Sequence, residues 1–358
     1  MDKKKRSYLK KISALAVISP FAINTNLNAS QKVSLRLSTA FPKKIPGLGT
    51  GLEFFVKTVK KLSEGNVEIK IFDSGLLSKP FDTLKLVKEG GADLGYGAPY
   101  YWSSLNDGFN FAANYPFGLT AEDFNSWYYF GKGKAIIRKL YEKYNTVFFL
   151  CGNTGHQMGG WFKKKINSLD DLKNLKYRIP GIGGKILSKY FGVNVINLPG
   201  SEVLQALASG AIDATEWNNP YGEATIGFAN NAKYYYHPGW HEVATVIDLF
   251  ANKKTFDNLS FKNKEIIEIS ANVTNHMMIN EFNYFNSIAL DKLKQNFKNI
   301  KILRFPDNIL TSFKEKSEQF YKNYEFNEFS KEIYYSSLNF KKLSKEWFRI
   351  SRKSYTDI

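Results

Sequence analysis

Five short segments of this 358-residue chain set polar or aromatic side chains beside glycines where apolar, strand-like runs end. Those are the positions at which α/β proteins bind ligands. In Tyr177-Arg178-Ile179-Pro180-Gly181 an arginine interrupts a strand that proline and glycine must end. Its guanidinium offers two parallel N–H donors, the geometry that grips a carboxylate, although an arginine on a surface strand is also ordinary. In Ala214-Thr215-Glu216-Trp217-Asn218-Asn219-Pro220 a glutamate directly follows a short apolar strand. A carboxylate so placed needs a cation, an arginine or a raised pKa. The run Tyr234 to Glu242 brings a second carboxylate, and Gly155 to Trp161 brings Gln157, with one amide acceptor and two donors. Tyr100 and Tyr101, in Gly95 to Trp102, either wall a ligand with their phenols or pack in the core.

Two glutamates and a glutamine oxygen suit a hard cation, Na⁺ or Ca²⁺, better than zinc. His237 and His241 have the spacing of a zinc-binding helical pair, but Pro238 and Gly239 between them break the helix that such a pair uses. The glycines at 181, 183 and 184 lack the spacing of a dinucleotide fingerprint, and Gly184-Lys185 lacks the Ser/Thr of a phosphate loop. A rival reading makes Glu216 and Glu242 an acid/base pair in the manner of glycoside hydrolases. Against it, no nucleophile, base and orienting acid stand out, since the sole cysteine, Cys151, closes a strand and the four histidines have no evident partners.

The elements that position these residues alternate. Strands are expected at Val33–Leu37, Val67–Phe72, Ala92–Tyr96, Val147–Leu150, Tyr177–Ile179, Val193–Ile196 and Ile212–Thr215. Helices are expected at Gly51–Leu62, Phe81–Lys88, Glu122–Tyr144, Lys185–Phe191 and Ser201–Ala208. The pattern is that of an α/β protein. The length after a leading segment exceeds what one core usually supports, which predicts two lobes. We place them at 30–152 and 153–240, with a crossing strand and returning helices over 241–305 and a helical tail over 306–358. The chain from Asn263 onward is long-helical, no glycine follows Gly239, and the tail aromatics Phe313, Phe320, Tyr321, Tyr324, Phe326 and Phe329 should pack on the lobes or on a second subunit.

The first 29 residues read as an export signal: a basic start, an uncharged run from Ile12 to Ile23, and the small pair Ala29-Ser30 at its end. Lys5-Arg6-Ser7-Tyr8-Leu9-Lys10 is similar to a twin-arginine motif with one arginine replaced, and an ordinary secretory start fits as well. The apolar run is too short to span a bilayer, so a soluble mature protein is expected. The formal net charge of +17 favours anionic ligands. The lysines are scattered among acids and form no stripe, which argues against nucleic acid.

Taken in order, Gly155–Phe162, Asp170–Gly184, Leu198–Pro220 and Lys233–Glu242 resemble the substrate-binding subunits of TRAP transporters, most of all the subgroup that binds 2-oxo acids and related monocarboxylates such as pyruvate or lactate. The resemblance runs from about Val33 to Ser260. It implies a two-lobed periplasmic-binding-protein-like fold with crossing strands and long C-terminal helices, and no enzymatic activity. It implies that Arg178 clamps the ligand carboxylate. It also implies that Gln157, Glu216, the Trp217 backbone carbonyl and Glu242 hold a bridging Na⁺ or Ca²⁺. Trp217 would wall the pocket with Tyr100 and Tyr101, and Asn218 and Asn219 beside it would tune which side chain is accepted. The partners implied are a small carboxylate, the membrane subunits of the transporter and, through a swapped C-terminal helix, a second copy. An ABC-type or signalling receptor of the same architecture is the other binding-protein reading.

Overall fold

Eleven strands in the described residues, 32–356 of a computed structural model, are divided between two sheets. The leading segment 1–29, with its export-signal and twin-arginine readings, lies outside those residues. In chain order the strands are β1 (Val33–Thr39), β2 (Val67–Phe72), β3 (Leu94–Gly97), β4 (Thr146–Asn153), β5 (Gly160–Phe162), β6 (Lys176–Arg178), β7 (Asn194–Ile196), β8 (Ala214–Thr215), β9 (Tyr234–His237), β10 (Val246–Asn252) and β11 (Lys301–Arg304). The first sheet has the order β2-β1-β3-β10-β4 and the second β11-β9-β5-β8-β6-β7.

Three passages of chain join the sheets. The chain leaves the first sheet after β4 and enters the second with β5, then returns from β9 into β10. It crosses again along the helix Phe261–Asn296, whose 36 residues extend about 54 Å at the usual rise. The strands β4 and β10 pair antiparallel and every residue in both is buried, which is why they read as continuous apolar runs. The strand β10 also pairs antiparallel with β3, while β1 with β2 and β1 with β3 are parallel, as strand-helix alternation requires.

One expected helix is two. Glu122–Tyr144 divides into Ala121–Phe130 and Gly133–Glu142. Gly131 between them is extended and donates its N–H to the Trp127 carbonyl, and a Cβ there would lie 2.5 Å from that oxygen. The apolar periodicity runs on through this break and conceals it. The tail forms the helices Asp307–Lys322 and Glu328–Ile350. It packs on elements beside both sheets: Phe313 stacks on Trp240 at 4.1 Å between ring centroids and meets Phe191, while Tyr321, Tyr324 and Tyr334 surround Phe111. No helix among the described residues is long and apolar enough to cross a membrane.

Candidate functional site

Arg178 ends β6, and Glu216 follows β8, its parallel neighbour, so register alone brings the two together. The guanidinium is 1% exposed and Glu216 2%. One Arg178 Nη donates to Glu216 Oε1 and, at 3.3 Å, to the Glu216 carbonyl, while Nε donates to the Leu198 carbonyl at 3.1 Å. The guanidinium carbon lies 5.6 Å from the Trp217 ring centroid, a cation–π distance. Burial opposes the charged form of Arg178, but Glu216 and the phenols of Tyr101 and Tyr100 outweigh it, so its pKa is raised. The other Glu216 oxygen meets His241 Nε2 at 3.3 Å.

Gln157 lies in the loop between β4 and β5, and Glu242 in the loop between β9 and β10, on the crossing passages. The Gln157 amide nitrogen donates to Thr154 Oγ1 at 3.0 Å and to Thr245 Oγ1, and the Thr245 hydroxyl donates onward to Glu242. Both amide hydrogens are thereby committed, and Gln157 Oε1 is left buried with no donor. Gly239 has no room for a side chain, since a Cβ would lie 2.7 Å from the Gln157 carbonyl oxygen. Glu242 has its pKa pushed well above the carboxylate range, chiefly by burial and further by Glu216, against the Thr245 hydrogen bond and Arg178.

Other polar atoms here are buried and unpartnered: Asn219 Oδ1, Trp217 Nε1, the Tyr101 hydroxyl and His241 Nδ1. Native interiors leave few such groups without a reason, and here they are gathered around one ion pair. The Tyr100 phenol is raised chiefly by burial and then by Tyr101, Glu242 and Glu216, which sets it beside the same carboxylates. A cleft of about 640 Å³ is lined by Phe81, Tyr100 and Tyr101 from the first sheet's side and by Ile179, Lys185 and Asn197 from the second's. All the residues singled out in the sequence, Arg178, Gln157, Trp217, Glu216, Tyr100, Tyr101, Asn219 and Glu242, thus belong to one region.

Three members lie outside the expected site residues, His241 among them, which the sequence offers only as half of a zinc-type pair. Thr245 and His241 are described above, and Glu223 has its carboxyl buried. It accepts from Trp161 Nε1 at 2.9 Å, from the Tyr235 hydroxyl and from the Asn218 N–H at 3.2 Å. Burial pushes its pKa up to about 7 against those three donors. The helix Pro220–Ala224, with proline at its first turn, is the available signal for Glu223; Thr245 offered none.

Among the described residues no three His, Cys, Asp or Glu side chains converge on a metal. The set at issue has only two carboxylates, completed by oxygens of other kinds. An acceptor with no donor, Gln157 Oε1, next to an acid that burial drives toward its neutral form is what a site for a hard cation looks like when the protein's own groups are considered alone. The residues present fit such an ion.

Residues 41–327 match the model of the DctP family, bacterial extracellular solute-binding protein, family 7. A monocarboxylate 2-oxoacid-binding periplasmic protein of Nostoc sp. (strain PCC 7120) is 36% identical over 324 residues, 90% of this chain and 88% of that protein. A TRAP transporter solute-binding protein from Bordetella bronchiseptica RB50, with calcium and picolinate in its active site, superposes with a TM-score of 0.87 at 32% identity, covering 91% of this chain and 96% of that one. A TRAP periplasmic solute-binding protein from Pseudoalteromonas atlantica T6c, with bound sodium and pyruvate, gives 0.87 at 30% identity over 91% and 99%. With its two sheets, crossing passages and long C-terminal helices, this chain belongs to the DctP family of bacterial extracellular solute-binding proteins, a family of receptors and not of enzymes.

Proposed function

We propose that this chain is the periplasmic receptor of a TRAP transporter, capturing a 2-oxo acid such as pyruvate, or a 2-hydroxy acid such as lactate, for the transporter's membrane subunits. The buried Arg178 fork, surrounded by unpartnered polar atoms, carries the reading. The ligand carboxylate competes with Glu216 for the guanidinium. Gln157, Glu216, Glu242 and the Trp217 carbonyl would hold Na⁺ or Ca²⁺, which supplies positive charge between the two glutamates and the ligand and lets a second ligand oxygen be chelated. One arginine and one such cation balance two glutamates and one ligand carboxylate to within a unit of charge. Trp217, Tyr100 and Tyr101 wall the ligand's side chain, and Asn219 helps to select it. The bodies 30–152 and 153–240 close over it by hinge motion about the crossing passages.

Relatives support this: the Nostoc protein is named for 2-oxo acids, and the solved neighbours hold pyruvate or picolinate with sodium or calcium. The acid/base reading of Glu216 and Glu242 loses ground to the pairing of Glu216 with Arg178. Export to the periplasm assigns the leading segment 1–29 as the signal. Calorimetric titration with pyruvate, lactate and propionate tests the ligand class. The first two should bind and propionate, lacking the second oxygen, should bind at least about tenfold more weakly; equal affinity for all three would overturn chelation.

A homodimer fits the C-terminal helix, whose Leu343, Trp347 and Ile350 are exposed at 71%, 68% and 58%. Light scattering should report a dimer, and Trp347→Glu a monomer; a monomeric parent chain would remove this part of the proposal.

A further inference from the structure

We infer that Glu223 is a positioning residue that aims the Trp217 carbonyl at the cation site; the inference rests on the reading of that site given above. The peptide unit joining Trp217 to Asn218 is trans and planar, so its N–H and C=O point in opposite directions. Its N–H donates to Glu223 Oε1 at 3.2 Å. Fixing that N–H fixes the plane and therefore the direction of the Trp217 carbonyl, on which no hydrogen bond among the described residues ends. The next residue is held as firmly. The Asn218 carbonyl accepts from the Met158 N–H at 2.8 Å, and Asn218 Oδ1 accepts from the Asn219 N–H at 2.6 Å.

Glu223 can hold this plane because it is itself anchored. Its Oε2 accepts from Trp161 and Tyr235, cross-strand neighbours on β5 and β9 whose rings stack at 4.1 Å. The short helix Pro220–Ala224 turns the chain back so that Glu223 reaches Asn218. Gly222 makes the turn possible, since a Cβ there would lie 2.4 Å from Asn218 Oδ1. No cation pairs with Glu223 among the described residues, and a buried carboxylate without one is a costly brace for a loop. Its oxygen, accepting the N–H, polarises the peptide and makes the opposite carbonyl a stronger oxygen ligand, as partners behind metal ligands do elsewhere.

Calcium chloride and sodium chloride titrations of the full chain, followed by calorimetry, test this with Glu223→Ala, Glu223→Gln and Tyr235→Phe. In the glutamine variant the amide oxygen still accepts the Asn218 N–H while the amide nitrogen donates to the Tyr235 oxygen, and only the Trp161 N–H loses its acceptor. Glu223→Ala should weaken cation binding by about 10- to 100-fold, and the other two by about threefold at most. Should Glu223→Ala not fold, Glu223→Asp, which keeps the charge and loses the reach, carries the same expectation as alanine. A folded Glu223→Ala, or in its place Glu223→Asp, that binds as tightly as the parent overturns the inference. So does Tyr235→Phe losing as much as Glu223→Ala, which would reduce Glu223 to a general brace. A parent chain that binds neither cation overturns the reading of the site itself and the inference with it, a result distinct from the other two.

Discussion

The Gln157 amide donates to the Thr245 hydroxyl, and the same hydroxyl donates to Glu242, across 88 residues of sequence. A hydroxyl has one proton to give. Since Thr245 spends it on Glu242, it must accept from Gln157, which forces the amide nitrogen toward it and leaves Oε1 facing the site. One threonine therefore orients two of the four proposed cation ligands. Thr245→Val should weaken calcium or sodium binding by about 10- to 100-fold and cost about 1–3 kcal/mol of stability through the donors and acceptors left behind. Thr245→Ser should restore both, as read by calorimetry and denaturant titration.

Arg178→Ala leaves Glu216 buried opposite an empty position. Loss of one partner from so deep a pair costs about 3–5 kcal/mol, seen as a lower denaturation midpoint, together with loss of measurable pyruvate binding. Arg178→Lys keeps the charge without the fork, so it should recover part of the stability and little of the affinity.

Asp248, at the centre of β10, accepts from Trp102 Nε1 at 2.8 Å and from the Tyr141 hydroxyl, and its Oδ1 has no partner. Burial raises its pKa from 3.8 to about 6 despite those two donors. The folded state thus holds this proton more tightly than the unfolded chain. The stability it contributes is full below the ordinary carboxylate value and is lost as pH rises toward about 6, a change of about 3 kcal/mol. Chemical denaturation of the cation-free protein should show that decline between about pH 4 and pH 6, and Asp248→Asn should make it shallower by about that amount, leaving the part that Glu223 and Glu242, also raised by burial, contribute.

Lys185, on the helix Gly181–Phe191 that follows Arg178, reaches Asp107, ahead of the helix Gly108–Ala113, at 2.9 Å and the Tyr324 hydroxyl of the tail at 3.2 Å. The pair is half exposed, so its direct contribution is small, about 0–1 kcal/mol. Lys185 also lines the cleft, so the bridge ties one wall of it to Asp107 and Tyr324, and its effect on ligand exit should matter more. Lys185→Met should raise the pyruvate dissociation rate by a few fold in stopped-flow displacement, with the association rate little changed.

The sequence was most legible where chemistry and element coincide. Arg178 and Glu216 stand at strand ends among glycines and prolines, and the parallel pairing of their strands joins them. Gln157 and Glu242 were legible as polar residues in turns. Thr245 was not, because a threonine acquires its role only from partners that another passage of chain brings to it. Glu223 was hidden likewise, its three donors coming from β5, β9 and the loop before its own helix. The helix break at Gly131 escaped because apolar spacing continues on either side, and the two glycines at 131 and 133 were the sign to heed.

In the proposed receptor, Arg178 and a hard cation together hold the ligand. Calorimetric titration of pyruvate into the purified chain, stripped of divalent ions in a sodium-free buffer and then repeated with calcium or sodium added, tests it most directly. Strong binding is expected only with a cation present, and none in Arg178→Ala under either condition. Pyruvate binding of equal strength with and without the cation, or no binding in any of these buffers, would contradict it.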